Sequence, residues 1–318
     1  CPEIFYNDQR ARLLSRLTSL APGNMPRAFL CNSGTEAVEA ALKFARITTG
    51  RTEVISALRS FHGRTMGALT LTGQKKHRDP FEPLVPDIIQ IPYNRVENLD
   101  AALSERTAAV VLEVVQGEGG IRPATHNYLH TAQRLCHERG ALLILDEVQT
   151  GLGRTGKLFA CEHYNLEPDI LCLAKSMAGG LPMGATLHGT RVGQLPTGTH
   201  GSTFGGNPLA CAVALAVLDV LESEHLPERA ARLGEQLFAR LRKTNLGLVR
   251  EVRGLGLMIG IELKQKVTPI LQKLQERGVL ALPAGKTVLR LLPPLVIHAD
   301  EWEDVGTTVI DVLKDISN

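Results

Sequence analysis

Aromatic residues are scarce. Eight Phe, four Tyr and one Trp make 4% of the 318 residues, so an aromatic side chain in a polar, glycine-bearing stretch stands out. Excess charge of one sign is also missing. Lys plus Arg number 35 against 33 Asp plus Glu, a net +2 with no basic block, which excludes an electrostatic nucleic-acid binder. No apolar run is long enough to cross a bilayer, because the longest, 209–218, stops at Asp219. Paired cysteines are absent as well. Cys1, Cys31, Cys136, Cys161, Cys172 and Cys211 are scattered, without a C-x-x-C, and several sit in apolar runs. They read as small buried hydrophobes of a cytoplasmic protein, not as a disulfide framework or a zinc site. No basic-then-apolar signal stretch opens the chain, and its start at Cys1, without Met, suggests a fragment or a processed chain.

What is present is an ordinary globular mixture, 44% hydrophobic and 21% charged. At about 150 residues per domain the length suggests two domains. Short apolar runs alternate with amphipathic helices, which predicts an α/β fold. Residues 108–115, 141–145 and 170–174 read as strands, and 127–139 as a helix. Near-continuous apolar strands imply a mostly parallel sheet with helices on both faces. Asn207-Pro208 opens a long helix, with Asn as cap and Pro at the first position, and 227–242 forms another. The texture changes near residue 245. Residues 251–263 read as two short strands or one bent strand, 268–277 and 300–316 as helices, and 287–297 as a strand interrupted by Pro293-Pro294. The expected division is a large domain over 1–244 and a small C-terminal α+β domain over 245–318.

Several stretches admit both a structural and a chemical role. Ser33 and Glu36 have capping-box spacing before a helix over 35–46, and the same helix start, with Gly34 and Thr35, could seat an anion. Asp146 closes an apolar strand, where open α/β sheets place ligands, or it caps a turn; a metal set with Glu147 and Glu113 lacks a nearby His. Lys175 follows another apolar strand and precedes a glycine-rich stretch. It is either salt-bridged or snorkelling, or a desolvated amine fit for Schiff-base chemistry. Residues 200–208 are a turn or a second phosphate contact, and 61–65 place Phe61 and Arg64 on a loop. Residues 151–157, GLGRTGK, imitate two nucleotide-binding patterns but satisfy neither: Asp146 to Thr150 intervene after the strand, and Leu158 stands where a hydroxyl must hold magnesium.

In order, these pieces resemble the class III pyridoxal-phosphate-dependent aminotransferases of fold type I, and most of all the N-acetylornithine aminotransferase group. The motifs are NSGTEA, FHGRT, QGEGG, LLILDEVQTGLGRTGK, PDILCLAKSMAGG, HGSTFGGNPLA, VRGLGLMIGIEL and RLLPPLVI, nearly end to end. The resemblance implies pyridoxal 5'-phosphate as cofactor. Lys175 would join it covalently and shuttle a proton, and Asp146 would pair with its ring nitrogen. Gln149 would lie beside the phenolic oxygen, with Glu147 and Val148 in the same stretch among the cofactor residues. Phe61 would stack on the ring, and Gly34 and Thr35 would hold the phosphate. Thr203 would reach the phosphate of a neighbouring subunit, implying a homodimer. Arg64 and Ser202 would bind the amino donor. Arg290 would take the α-carboxylate of glutamate or 2-oxoglutarate, with Glu118 as its removable partner.

The sequence departs from that family where Glu113-Val114 replaces a usual Glu-Pro, and the family carries a leading segment of several dozen residues before the Cys1 region. The stretches 32–46 and 279–297 look closest to members acting in lysine biosynthesis through 2-aminoadipate. There a small acidic carrier protein blocks the α-amino group, and such enzymes also serve N-acetylornithine in arginine biosynthesis. Ornithine or 4-aminobutyrate aminotransferases, a mutase or racemase of the same fold, and an inactive truncated relative are the alternatives.

Overall fold

The computed structural model describes residues 5–317, with the side chain of Ser317 left out; Cys1 lies outside the described residues. A seven-stranded sheet forms the centre. Its strands are β1 (Arg27–Cys31), β2 (Glu53–Ala57), β3 (Ile88–Ile91), β4 (Thr107–Leu112), β5 (Leu142–Asp146), β6 (Ile170–Leu173) and β7 (Gly184–His188). They lie in the order β1-β7-β6-β5-β4-β2-β3. β3, β2, β4, β5 and β6 run parallel, and β7 is antiparallel to both β6 and β1.

Alternate residues of the central strands enter opposite cores. Val110, Leu112, Leu143, Leu145, Leu171 and Leu173 pack into one, while Ala109, Val111, Leu142, Ile144, Ile170 and Cys172 pack into the other. The first core is closed by α1 (Asp8–Leu20), α3 (His126–Glu138) and α4 (Pro208–Ser223), the second by α2 (Gly34–Thr49). A strand buried on both faces must be apolar at every position, so these runs show no alternation in sequence. The expected α/β fold with a mostly parallel sheet covered on both faces is observed.

Helix ends follow local chemistry. The Ser33 side chain caps α2 by accepting from Glu36 N–H at 3.3 Å, and Glu36 reaches one residue further back than a capping box requires, to Asn32 N–H at 3.0 Å. α2 stops at Gly50, whose φ of 66° lets its N–H return to the Arg46 carbonyl. Asn207 caps α4 through Ala210 N–H at 2.9 Å, with Pro208 at the first position as expected.

The remaining C-terminal strands build a second, antiparallel sheet. β8 (Val249–Leu255), β9 (Met258–Leu263), β10 (Leu282–Pro283) and β11 (Val288–Leu291) lie in the order β8-β9-β11-β10. Residues 251–263 are thus a hairpin rather than one bent strand. α5 (Leu226–Lys243), α6 (Thr268–Glu276) and α7 (Ala299–Ser317) cover this sheet. Leu233, Leu237 and Phe238 of α5 share its core with Ile259, Ile261, Leu289 and Trp302. Each fully buried Leu or Ile there stabilises the fold by about 1.5–3 kcal/mol.

Two expected strands need correction, and four strands were not expected. The one expected over 108–115 ends at Leu112, and Val115–Gln116 instead pairs with Arg122–Pro123. The one expected over 287–297 is only Val288–Leu291, because Pro293 and Pro294 lack the N–H a ladder needs. β1, β2, β3 and β7 are short, and each carries a polar residue or glycine that breaks the apolar run, so the sequence does not mark them as strands. The five described cysteines are buried, and Cys136, Cys161, Cys172 and Cys211 are free thiols.

Candidate active site

The parallel strands β2, β4, β5 and β6 end at one side of the sheet, and the segments that follow them converge on a cleft of about 500 Å³. Asp146 is the last residue of β5, Lys175 lies two residues beyond β6, and Glu113 directly follows β4. The start of α2 closes the cleft from another side. Lys175 has φ 44°, a left-handed conformation that few non-glycine residues adopt and that packed surroundings must hold. Its side chain is exposed to the cleft, not buried at the strand end. Even so, desolvation by the surrounding walls holds its pKa below the usual lysine range, against the opposing charges of Asp146, Glu113 and Glu118.

Asp146 is buried, and two partners fix it. Its Oδ1 accepts Val148 N–H at 3.0 Å, and its Oδ2 accepts the His62 Nδ1–H at 2.7 Å. Burial opposes a charge on His62. The hydrogen bond to Asp146 and the charges of Asp146 and Glu113 outweigh that cost, so the His62 pKa lies above its ordinary value. Glu113, also buried, is pushed up to about 7 by desolvation, and accepts the N–H of Phe61 and of Gly117. His62 and Glu113 line the cleft, and neither was picked out as a cleft residue from sequence. Only its place between Phe61 and Arg64 could have drawn attention to His62.

Gly34, Thr35, Phe61, Arg64, Glu118, Val148 and Gln149 line the same cleft, so most of the expected site residues come together there. A Cβ on Gly34 would sit 2.7 Å from Val148 Cγ1, so glycine is required where the helix start meets that wall. The Thr35 hydroxyl is bonded to Thr65 Oγ1 at 2.7 Å, and Thr65 in turn to Glu39 at 2.6 Å. The Phe61 ring meets His77 edge-on, with centroids 5.9 Å apart. Arg290 on β11 is buried and pairs through Nη1 with Glu118 Oε1 at 2.5 Å, although 172 residues separate them.

Three expected residues lie elsewhere. Glu147 does not line the cleft. Its carboxylate turns away to accept the N–H of Ala160 and Cys161 at 2.6 and 2.8 Å, and burial raises its pKa to about 7. Side chains alternate across a strand, so the neighbour of a cleft-facing Asp146 points to the other side. Ser202 also stays outside the cleft, where its hydroxyl accepts from Asn32 Nδ2 at 3.1 Å and from Gly205 N–H at 3.0 Å. Thr203 is exposed on the same loop and does not touch its own chain's cleft. Residues 151–157 are turns that no helix continues, as their sequence implied, and among the described residues no three His, Cys, Asp or Glu side chains are placed to hold a metal.

The sequence matches the family Aminotransferase class-III over residues 1–313. It belongs to the class-III aminotransferases. The chain is 46% identical over 320 residues to a [LysW]-aminoadipate semialdehyde transaminase of Deinococcus radiodurans, covering 99% of this chain and 75% of that protein. It is 45% identical to an acetylornithine aminotransferase of Methanothermobacter thermautotrophicus, covering 98% and 80%. Among solved structures, an ornithine aminotransferase of Toxoplasma gondii superposes with a TM-score of 0.95 at 37% identity, covering 100% of this chain and 79% of that one. Pyridoxal phosphate is the cofactor of this enzyme class.

The cleft of this class-III aminotransferase fits that cofactor. Gln149 Oε1, Thr150 Oγ1 and His62 Nε2 are buried polar atoms at the cleft residues without a protein partner. A carboxylate, an amine and a helix start, whose first N–H groups have no partner within the helix, stand around one space. These match the ring nitrogen, the carbonyl carbon and the phosphate of the group.

Proposed function

We propose that the chain is a pyridoxal-phosphate-dependent enzyme that moves the terminal (ω) amino group of an α-blocked amino acid to 2-oxoglutarate. N2-acetylornithine and a carrier-linked lysine are the substrates in view, in arginine and lysine biosynthesis. The observation that carries this reading is the cleft itself. Lys175 and the His62-bonded Asp146 border it together, beside a carboxylate-covered arginine. The names of the most similar relatives support the choice of substrate.

Pyridoxal phosphate, when bound, supplies an electron sink for the negative charge left on carbon as a C–H proton departs. The chain's residues do the rest. Asp146 would hold a proton on the ring nitrogen, and the His62 hydrogen bond keeps the Asp146 carboxylate in place. Lys175, its pKa lowered, would hold the group through Nζ and, once the substrate amine has displaced it, would serve as the base for the proton on the substrate carbon that bears the amino group. Gly34 and Thr35 donate backbone N–H groups to the phosphate. Phe61 covers a ring face, and Gln149 sits beside the phenolic oxygen with Val148. Glu147 anchors the end of β5 and touches nothing that reacts.

Two substrates of different shape use one site in turn. Arg290 takes the α-carboxylate of glutamate or 2-oxoglutarate bidentately, and Glu118 covers it while the ω-amino substrate is bound. Arg64, exposed at the cleft, takes the carboxylate of that second substrate. The basic segment Lys75–Arg78, whose His77 meets Phe61, borders the same mouth and suits a small acidic carrier protein.

The working unit in this reading is a homodimer. Thr203 stands apart from its own cleft and reaches the partner's phosphate seat, with Ser202 on the same loop serving the amino donor. Phe204 is 70% exposed and Leu209 67% exposed beside it, which supports burial against a second copy. The large part covers 1–244 and the small part 245–318, with α5 connecting them. The free thiols of Cys136, Cys161, Cys172 and Cys211 suit a reducing, cytosolic compartment.

Turnover assays with purified protein test the reading. Lys175→Ala abolishes amino transfer, and N2-acetylornithine or carrier-linked lysine outperforms free ornithine in kcat/KM. Full activity of Lys175→Ala, or a preference for free ornithine, contradicts it.

A further inference from the structure

Arg253 of β8 is buried at 8% exposure, yet none of its neighbours is a substrate-facing group. Its guanidinium spans two parts of the fold. Nε donates to the carbonyls of Gly120 and Ile121, both at 3.0 Å, and Nη2 donates to Gly120 at 2.7 Å. Nη1 pairs with Glu251 and Glu262 of the same sheet, both at 2.5 Å. Three hydrogen bonds therefore tie the small sheet to the main chain of the turn 117–121. That turn carries Glu118, whose partner Arg290 lies on β11 of the same sheet.

Besides the Glu113 carboxylate that accepts Gly117 N–H where the turn begins, the small sheet holds the turn at two points of different kind. One is a main-chain clamp made by a buried planar fork. The other is a single side-chain pair, Glu118 with Arg290, open enough that the Glu118 side chain is 36% exposed. A side chain can rotate away while its backbone stays fixed only if something else fixes the backbone. Glycines at 117, 119 and 120, the last at φ 110°, give this turn little stiffness of its own.

We propose that Arg253 is a positioning residue that clamps the 117–121 turn, so that Glu118 leaves and regains Arg290 as a side-chain motion alone. The inference rests on the reading of Glu118 as a removable cover. Lysine at 253 retains the charge beside Glu251 and Glu262 but cannot donate in a fork to two carbonyls. Arg253→Lys therefore loosens the turn without stranding those carboxylates.

Hydrogen–deuterium exchange on the cofactor-loaded full chain reads the clamp directly, because Gly120 and Ile121 N–H both bond to the Gly117 carbonyl within the turn. In the wild type, saturating glutamate leaves their exchange unchanged. In Arg253→Lys they exchange at least about tenfold faster, with or without glutamate. Equal protection in Arg253→Lys, or deprotection of the wild-type turn by glutamate, overturns the proposal.

Steady-state kinetics form the second arm. Arg253→Lys shifts the ratio of kcat/KM for glutamate to that for the ω-amino substrate, and the shift disappears in a Glu118→Gln background. A shift of the same size in both backgrounds shows that Arg253 does not act through Glu118, and overturns the proposal. If Glu118→Gln alone leaves the ratio unchanged while Arg253→Lys still exchanges fast, the cover role of Glu118 fails and the clamp stands.

Discussion

The His62 Nδ1–H donates to Asp146 Oδ2 at 2.7 Å, and both side chains are buried at the carboxyl end of β5. The contact fixes the orientation of the Asp146 carboxylate and gives its buried Oδ2 a hydrogen-bond partner. Replacing His62 by Phe removes it and leaves Asp146 Oδ2 without that donor. A charge-assisted hydrogen bond contributes about 1.5–3 kcal/mol, so affinity for pyridoxal phosphate falls by roughly 10–100-fold. Equilibrium titration of the apoprotein with the cofactor checks this, and unchanged affinity contradicts the assigned role.

Gly34 makes a separate prediction. A methyl group there meets Val148 at 2.7 Å, on the wall between the helix start and the cleft. Gly34→Ala displaces that wall and weakens cofactor binding by about tenfold or more, while the melting temperature of the apoprotein changes little. A large loss of stability without a change in affinity would instead assign the glycine to the fold.

Glu147 bears on pH dependence. Its pKa rises to about 7 in the folded protein from 4.5, with burial as the main cause. The folded state therefore binds a proton more tightly than the unfolded one. The associated stability is fully present below about 4.5 and is lost as pH rises through about 7. Glu147→Gln removes this contribution. Its stability declines less steeply between these pH values than that of the wild type, as thermal melts at several pH values will show.

The cap of α4 gives a purely structural check. Asn207→Ala deprives Ala210 N–H of its partner and costs about 1 kcal/mol in chemical denaturation, without altering the cleft.

The sequence makes the middle of the sheet legible and its margins not. β4, β5 and β6 are buried on both faces, so their burial is written as continuous apolar runs. β1, β2 and β7 mix Arg27, Glu53, Thr186 and His188 with apolar neighbours, and take their strand form from pairing with distant strands. In the cleft, Asp146 and Lys175 are visible because a charge ends an apolar run. Arg290 and Glu118 are far apart in sequence, and only likeness to a family suggests that they meet. His62 escapes notice because a single polar residue on a loop carries no period, and Glu113 is legible only as a weak metal candidate beside Asp146. The Glu147 side chain turns away from the cleft because successive side chains at a strand end point to opposite sides.

The most direct test is the visible absorption of the purified protein with pyridoxal phosphate, before and after glutamate. A transaminase working through this cleft gives a band that requires Lys175, that glutamate bleaches and that 2-oxoglutarate restores. A band that forms on Lys175 but ignores glutamate would contradict amino transfer through this cleft.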